Sequence, residues 1–553
     1  MTFQGEDTEE KERCNMKLKK LMSLVLTGAM VFSLAACGGS ASSSDSGSSA
    51  DAGSTETTAE DEYKVFSYGT DANSTTFDPA SDLQTNSGNF LVHAVGESLW
   101  SVDEDGNVTY KLATGYEYAE DYSTLTITLQ EGVKFSNGDD MTASDVLFTL
   151  NHVASQPRTA SMYSSMDLAN AECTDDYTLV IPMNSYDAAL IDLMGNASCM
   201  ILDENVCGAE DYDYSWLIGT GPYMLKGDGE SDTSGWEESV KYTLVRNPNY
   251  WGEEPYYDEF DVYFYSEEST RYADFQAGNL DAIYLTEATY VNNLSSGAVM
   301  DASLVQKTEN AVYGFEMAAT DQSNGAMSDI NVRKAFAHAL DVPTMVESLG
   351  EGVYQTASSL VGTDCWAYED LGTYDYDPDA AAEYLKEAGY SVDNPLTIKV
   401  YAESTSWISA LFEAAQDYEA KIGINLDLAG VADFATILPT LLAGEQDMTF
   451  GTGSNGSGND PANLLQQFGP LSDNCLTRVA DQELVDAFNN GSATADQTER
   501  TEIYQGFMEK IYEDYLFVPV CVGTKNYGVM DSHTSFESAI DTSNQVDPCL
   551  LTD

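Results

Sequence analysis

The segment Met16–Ser40, MKLKKLMSLVLTGAMVFSLAACGGS, decides which part of this 553-residue chain is available to fold. Lys17, Lys19 and Lys20 precede an apolar run from Leu21 to Phe32. That run is shorter than the roughly 20 residues needed to cross a bilayer. It ends in Leu34-Ala35-Ala36-Cys37 and then Gly38-Gly39, the order of a cleaved secretion signal. Residues Met1–Asn15 carry the acidic run Gly5–Glu10, whereas secretion signals start basic. Translation beginning at Met16 is the simplest account. Residues 1–36 are therefore set aside, which leaves 553 − 36 = 517 residues for the body.

A Cys directly after Leu-Ala-Ala, with Gly next, resembles the bacterial lipobox. The resemblance implies cleavage before Cys37, lipidation of its sulfur, and tethering on the outer face of the cell membrane. Residues 37–60 then hold the anchor and a linker, since Gly38–Thr58 is rich in Ser, Gly, Ala and Thr. No apolar stretch after Cys37 approaches spanning length, so the expected protein is anchored to a membrane rather than threaded through it.

A body of this length exceeds what one core fills, roughly 250–300 residues, and two or more lobes are expected. The 23 Lys and Arg face 92 Asp and Glu, a net charge of −69. Such a chain repels nucleic acid, whose phosphates need clustered basic residues. The acids are scattered, which suits a solvated surface; attraction of cationic ligands is the other reading. Seven further cysteines cannot all pair internally. Cys199 and Cys207 are the leading pair, with a fully reduced set the alternative. Only four His are present, in no HExxH arrangement, and no phosphate loop or GxSxG motif stands in a persuasive context. No catalytic residue, metal ligand or cofactor is therefore expected. A secreted hydrolase built on two carboxylates is the rival class.

The pattern alternates between strands and helices. Tyr63–Tyr68 reads as a strand, and Asp105-Gly106-Asn107 as the turn of a hairpin within Leu99–Lys111. Leu125, Ile127 and Leu129 alternate with threonines, as in a half-buried strand. Asn137-Gly138 marks a turn, and Thr142 is expected to cap a helix through its hydroxyl, with Val146, Leu147, Leu150 and Val153 as the apolar stripe. Asp329–Leu340 is a second helix. Asp377-Pro378 opens a third that stops at Gly389. Strand Leu396–Tyr401, helix Ala410–Ile422 and strand Ile424–Leu428 make a strand–helix–strand unit, which argues for a mixed α/β lobe.

Eight segments in order carry a family resemblance. They are Thr76–Pro79 with Glu97–Trp100; Tyr122–Leu150; Gly219-Thr220-Gly221-Pro222-Tyr223; Arg246-Asn247-Pro248-Asn249-Tyr250-Trp251; Ala277–Asp281; Asn331-Val332-Arg333-Lys334-Ala335-Phe336; Asp377–Tyr390; and Phe517-Val518-Pro519-Val520. Together they resemble the bacterial extracellular solute-binding proteins of the oligopeptide, dipeptide and nickel-binding family, receptors of ATP-binding-cassette (ABC) importers. The resemblance implies an α/β, two-lobed fold of the type II periplasmic-binding-protein kind, with mixed sheets, hinge-crossing strands and an extra subdomain in the first lobe. It implies a first lobe over 61–310 with a subdomain near 100–215, a second lobe over 311–522, and a return to the first lobe over 523–553. It implies a monomeric receptor that captures oligopeptides or similar small solutes and delivers them to ABC permease subunits. A non-peptide ligand, an oligosaccharide or metal chelate, is the alternative.

The resemblance also places the candidate ligand contacts. In peptide-binding relatives an Asp that holds the peptide amine precedes an acid-Pro pair, with a Trp just upstream. Here the stretch is Phe450–Pro461, FGTGSNGSGNDP, which keeps Asp460-Pro461 but lacks both the Asp and the Trp. Ser454, Asn455, Ser457 and Asp460 are the candidates from it, able to hydrogen-bond a neutral ligand. Gln84, Thr85 and Asn86 come from the loop after Asp78-Pro79, and Trp407 from the helical start after Glu403. The GTGPY, RNPNYW and NVRKAF segments are expected to be packing and turn elements.

Overall fold

The computed structural model describes residues 63–71, 77–80, 86–103, 106–156, 160, 162–209, 211–229, 231–237, 239–318, 325–349, 353–403, 406–432, 437, 440–441, 443–452, 460–469, 481–540 and 546–553. Ten strands of one sheet organise them: β1 (Val65–Thr70), β2 (Tyr223–Leu225), β3 (Lys241–Arg246), β4 (Glu259–Phe264), β5 (Ala282–Leu285), β6 (Ala302–Met317), β7 (Leu396–Glu403), β8 (Ile424–Ala432), β9 (Met448–Thr452) and β10 (Phe517–Met530). Their spatial order is β8-β7-β9-β6-β10-β5-β1-β4-β3-β2. The short strands Trp236–Glu237 and Tyr354–Thr356 join on β3 and β10.

Within this sheet β1 runs parallel to β4 and β5, and β7 runs parallel to β8 and β9. Parallel strands need covered faces and crossover helices between them. The helix α1 (Asn86–Val95) packs Phe90, Leu91 and Val95 into the core of the β1 half, with Phe66, Phe260 and Tyr223. The Glu97–Trp100, GTGPY and RNPNYW segments interlock beside it. Thr220 Oγ1 and Trp251 Nε1 both donate to Glu97 Oε2, at 3.0 and 2.9 Å, and Asn247 Nδ2 donates to the Gly221 carbonyl.

A separate four-stranded antiparallel sheet, in the order Ala113–Tyr118, Thr124–Leu129, Thr178–Pro182, Glu172–Asp175, builds the extra subdomain. Its strand at Thr124–Leu129 buries Leu125, Ile127 and Leu129, as the alternation demands. The helix α2 (Ala143–Ser155) lays Val146, Leu150 and Val153 on the same core. Thr142 is the N-cap as expected, and the cap is a reciprocal box: Asp145 Oδ2 also reaches back to accept from the Thr142 N–H at 2.8 Å and from the Thr142 hydroxyl at 3.0 Å. A carboxylate in the first turn also suits the positive end of the helix dipole.

The second half repeats strand and helix. α3 (Ile330–Ala339) is capped by Asp329. Its Arg333 donates through Nε to the Asp514 carbonyl and through Nη1 to the Met327 carbonyl. α4 (Pro378–Glu387) opens on Asp377, which accepts from the Ala380 N–H, and the chain leaves it through Gly389 at φ +92°, a left-handed value that glycine adopts freely. α5 (Ser406–Ala420) buries Ile408, Leu411, Phe412 and Ala415 against β7 and β8. Cys199 and Cys207 are both free buried thiols in different cores, so the described structure has no bond between them.

The two halves are joined by β6 and β10, which pair antiparallel from Ala302–Met530 to Glu316–Phe517. β5 pairs with the far end of β10 and β9 with the far end of β6, so each long strand belongs to both halves. The ladder is broken twice. From Thr308–Thr524 to Val312–Val522, four steps on β6 span two on β10. From Tyr313–Cys521 to Gly314–Pro519, one step on β6 spans two on β10. Bulges bend and twist strands, and Pro519 sits at one, where a missing N–H costs no ladder bond.

Candidate functional site

The topology locates the site before any side chain does. In α/β sheets, ligands bind outside the carboxyl ends of the parallel strands. β5 ends at Leu285, opposite Asn526 of β10, and β1 lies beside it. β9 ends at Thr452, opposite Tyr313 of β6, which pairs with Cys521 of β10. The carboxyl ends of both halves thus converge within 526 − 521 = 5 residues of β10, at the bulged segment.

That segment is polar and buried. Asn526 is fully buried; its Oδ1 accepts from Gln306 Nε2 at 2.6 Å, and its Nδ2 donates to the Thr524 carbonyl at 2.8 Å. The Thr524 hydroxyl donates to the Val353 carbonyl at 2.9 Å. Glu309 projects from the first bulge, and its Oε1 lies 4.0 Å from Lys525 Nζ. Burial pushes the Glu309 carboxyl up, and Lys525 partly offsets this. A Cβ at Gly523 would stand 2.2 Å from Glu309 Oε2, the movable end of that side chain.

An aromatic wall faces this segment from the second half. Trp407, in the first turn of α5, stands edge-on to Tyr313 (centroids 5.0 Å) and tilted on Tyr354 (4.8 Å), with Phe450 behind it at 6.1 Å. Tyr313 and Tyr354 both belong to strands at the bulges, which ties Trp407 to the hinge.

A cavity of about 490 Å³ lies between the subdomain and the second half. Ser165, Tyr186 and Asp187 line one side, and Asn463, Phe488 and Ser492 the other. Two hydrogen bonds close over it: Ala188 N–H to the Ser492 carbonyl, and Asn463 Nδ2 to Asp192 Oδ2, each 2.9 Å. Burial, with Asp460 adding repulsion, pushes the Asp187 carboxyl up to about 6.

Of the residues expected from sequence, Trp407 and Asp460 are fully described. Asp460 is buried, accepts from the Ala462 N–H at 2.9 Å, and pairs with Arg500 at 2.8 Å. Both of its oxygens are thus engaged by the protein. No direct contact between Trp407 and Asp460 occurs among the described interactions. Asn86 opens α1, while its side chain, together with Gln84, Thr85, Ser454, Asn455, Ser457 and Cys37, lies outside the described residues. Glu309, Asn526, Tyr186 and Asp187 were not expected. Only Pro519, near the bulged end of β10, could have signalled the hinge. Among the described residues, no group of His, Cys, Asp and Glu is placed to hold a metal ion, and no helix is long and apolar enough to cross a membrane.

A family model described as bacterial extracellular solute-binding proteins, family 5 Middle, matches residues 107–474, which is 368 of the 553. The chain is 24% identical to heme-binding protein A of Haemophilus influenzae, across 91% of this chain and 94% of that protein. It is also 24% identical to the oligopeptide-binding protein OppA of Bacillus subtilis, across 75% and 79%. Among solved structures, the PBP AgaA from A. tumefacien R10, in complex with agropinic acid, superposes with a TM-score of 0.74 at 22% identity, covering 88% of this chain and 98% of that one. This likeness shows the fold: the two-lobed α/β architecture of type II periplasmic binding proteins.

Proposed function

The chain belongs to family 5 of the bacterial extracellular solute-binding proteins, a family of ABC-importer receptors rather than enzymes, and on that premise we propose that it captures oligopeptides or similar small solutes between its lobes. The observation that carries this reading is the convergence of strand ends from both lobes on the bulged middle of β6 and β10. Two bulged connecting strands make a hinge, and closure about a hinge buries a solute against backbone and polar groups. The lobes are assigned to 61–310 and 311–522, with 523–553 returning to the first. The return is supported by Cys549, whose thiol donates to the His93 carbonyl at 3.4 Å, and by Leu551 in the first-lobe core.

The ligand contacts would come from Trp407 and the hinge face, together with Gln84, Thr85, Asn86, Ser454, Asn455 and Ser457. Asp460 then acts through Arg500 and the turn it caps. Lipidation at Cys37 would hold the receptor on the outer face of the membrane, beside the permease subunits that accept its solute.

Native mass spectrometry of the body, Asp61–Asp553, purified without denaturation, tests the reading. A bound peptide ladder is the expected result. A single sugar or chelate would move the substrate class, and turnover of peptides or glycans would sink the receptor reading. Incorporation of a labelled fatty acid, lost in Cys37→Ser, tests the anchor.

A further inference from the structure

The lobes meet at a second place besides the hinge. The subdomain segment Tyr186–Asp192 reaches the second lobe and is held there by polar and apolar contacts. The Ala188 N–H donates to the Ser492 carbonyl, and Asn463 Nδ2 donates to Asp192 Oδ2, each at 2.9 Å. Between them Ala189 is buried in the second-lobe cluster that holds Ala462, Leu484 and Tyr504. Opening about the hinge must part all of these contacts.

Asp187 stands inside this contact and faces its cavity, which no Lys or Arg lines. The charged and titratable groups around it are Asp460 and Arg500 from the second lobe and Tyr118 and Tyr186 from the first. Arg500 is the only cation among them, and it is committed to Asp460 and to the Gly491 carbonyl. The donors to Asp187 come from its own lobe: the Ser165 hydroxyl, and the Ala189 N–H at 3.1 Å. They travel with Asp187 when the lobes part. What the second lobe adds is cover from water and a second carboxylate, and both disfavour a charge on Asp187.

We propose that this contact is a latch strengthened by acid: with Asp187 neutral the segment seats on the second lobe and the lobes stay closed, and with Asp187 ionised the contact loosens and the lobes part more readily. In the closed state burial, with Asp460 adding repulsion, holds the Asp187 carboxyl at about 6. Opening returns it to water and toward its ordinary value of about 4. The closed state therefore keeps a proton that the open state releases. The latch is at full strength below the ordinary value and weakens as pH rises through 6. A shift of that size raises the closed-to-open ratio about tenfold between pH 7.5 and pH 5. Whatever solute is carried, it is retained longer in acid and released sooner at neutral pH. The inference rests on lobe closure in the receptor reading and not on the chemistry of the solute.

The Ala188 amide reports on the latch, since its hydrogen bond crosses the contact. Hydrogen–deuterium exchange of the full mature chain without added solute, read by mass spectrometry and corrected for the intrinsic rate at each pH, gives its protection. That protection should rise about tenfold from pH 7.5 to pH 5, while the amides of the strand Thr178–Pro182, inside the subdomain sheet, do not follow it. In Asp187→Asn the Ala188 amide should already have the acid value at pH 7.5 and change no further. Asp187→Ser, smaller and also uncharged, repeats the measurement if the Asn variant fails to fold. A flat profile in the unaltered protein, a rise that survives the substitution, a rise shared by the Thr178–Pro182 strand, or a variant less protected than the unaltered protein at pH 7.5 overturns the inference. No solute enters the measurement, so each of these failures leaves the receptor reading standing.

Discussion

Arg500 Nη2 donates to Asp460 Oδ1 at 2.8 Å inside the second lobe, where both side chains are buried. Asp460 also caps the turn at Pro461–Leu464, and Arg500 also holds the Gly491 carbonyl. One ion pair thus joins the turn at Pro461–Leu464 to α6 (Gln482–Ala493) and α7 (Gln497–Glu513), the helix that carries Arg500.

Removing one partner leaves a buried charge alone, which costs about 3–5 kcal/mol. Arg500→Ala should therefore destabilise the protein by about that much in urea denaturation. Adding Asp460→Asn to it should recover part of the loss, because the stranded carboxylate is gone. A double variant as unstable as the sum of the singles would show that the pair is not coupled.

Glu316 on β6 is buried, its Oε2 lacks a partner among the described residues, and burial pushes its carboxyl up to about 8. The folded state therefore holds a proton that the unfolded chain releases near pH 4.5. Stability from this group is present in full below that pH and is lost as pH rises toward 8. Glu316→Gln should match the unaltered protein at pH 4 and exceed it at pH 8, by on the order of a few kcal/mol. Thermal melting across pH 4–8 reads the difference, and parallel curves would refute it.

Gly314 lies at the second bulge, where a Cβ would meet the Val518 carbonyl oxygen at 2.4 Å and the Phe517 ring at 2.5 Å. Backbone cannot yield as a flexible side chain can. Gly314→Ala should cost about 1–3 kcal/mol by overpacking. Gly523→Ala meets only the tip of Glu309 and should cost less. Paired denaturation curves give the ranking.

Trp407 packs on Tyr313 and Tyr354 at the hinge. Solute capture should shift the tryptophan emission of the protein, and Trp407→Phe should remove most of that shift while the fold persists by circular dichroism. The chain has six Trp, so an unchanged shift in the variant would place the reporter elsewhere.

Some of this was legible in the residues. The alternation at Thr124–Leu129, the Asp377-Pro378 start and the Gly389 stop name their elements because period and backbone preference act over a few residues. The ordered motifs located the family, and the structure explains why they persist as packing pieces: Glu97, Thr220 and Trp251 satisfy one another. Thr142 was legible as the cap, whereas the returning bond from its N–H to Asp145 Oδ2 came only with the folded first turn.

What the sequence determined by itself was the local structure, the α/β class and the likeness to a family of receptors. What only the tertiary structure decided was where charge goes uncompensated. Asp187 and Arg500 stand 313 positions apart (500 − 187 = 313). Folding brings them within electrostatic reach of each other, yet Arg500 pairs with Asp460, and Asp187 has no ion pair among the described residues. Electrostatic energy depends on distance through space and on burial, and neither is written in the order of residues along the chain.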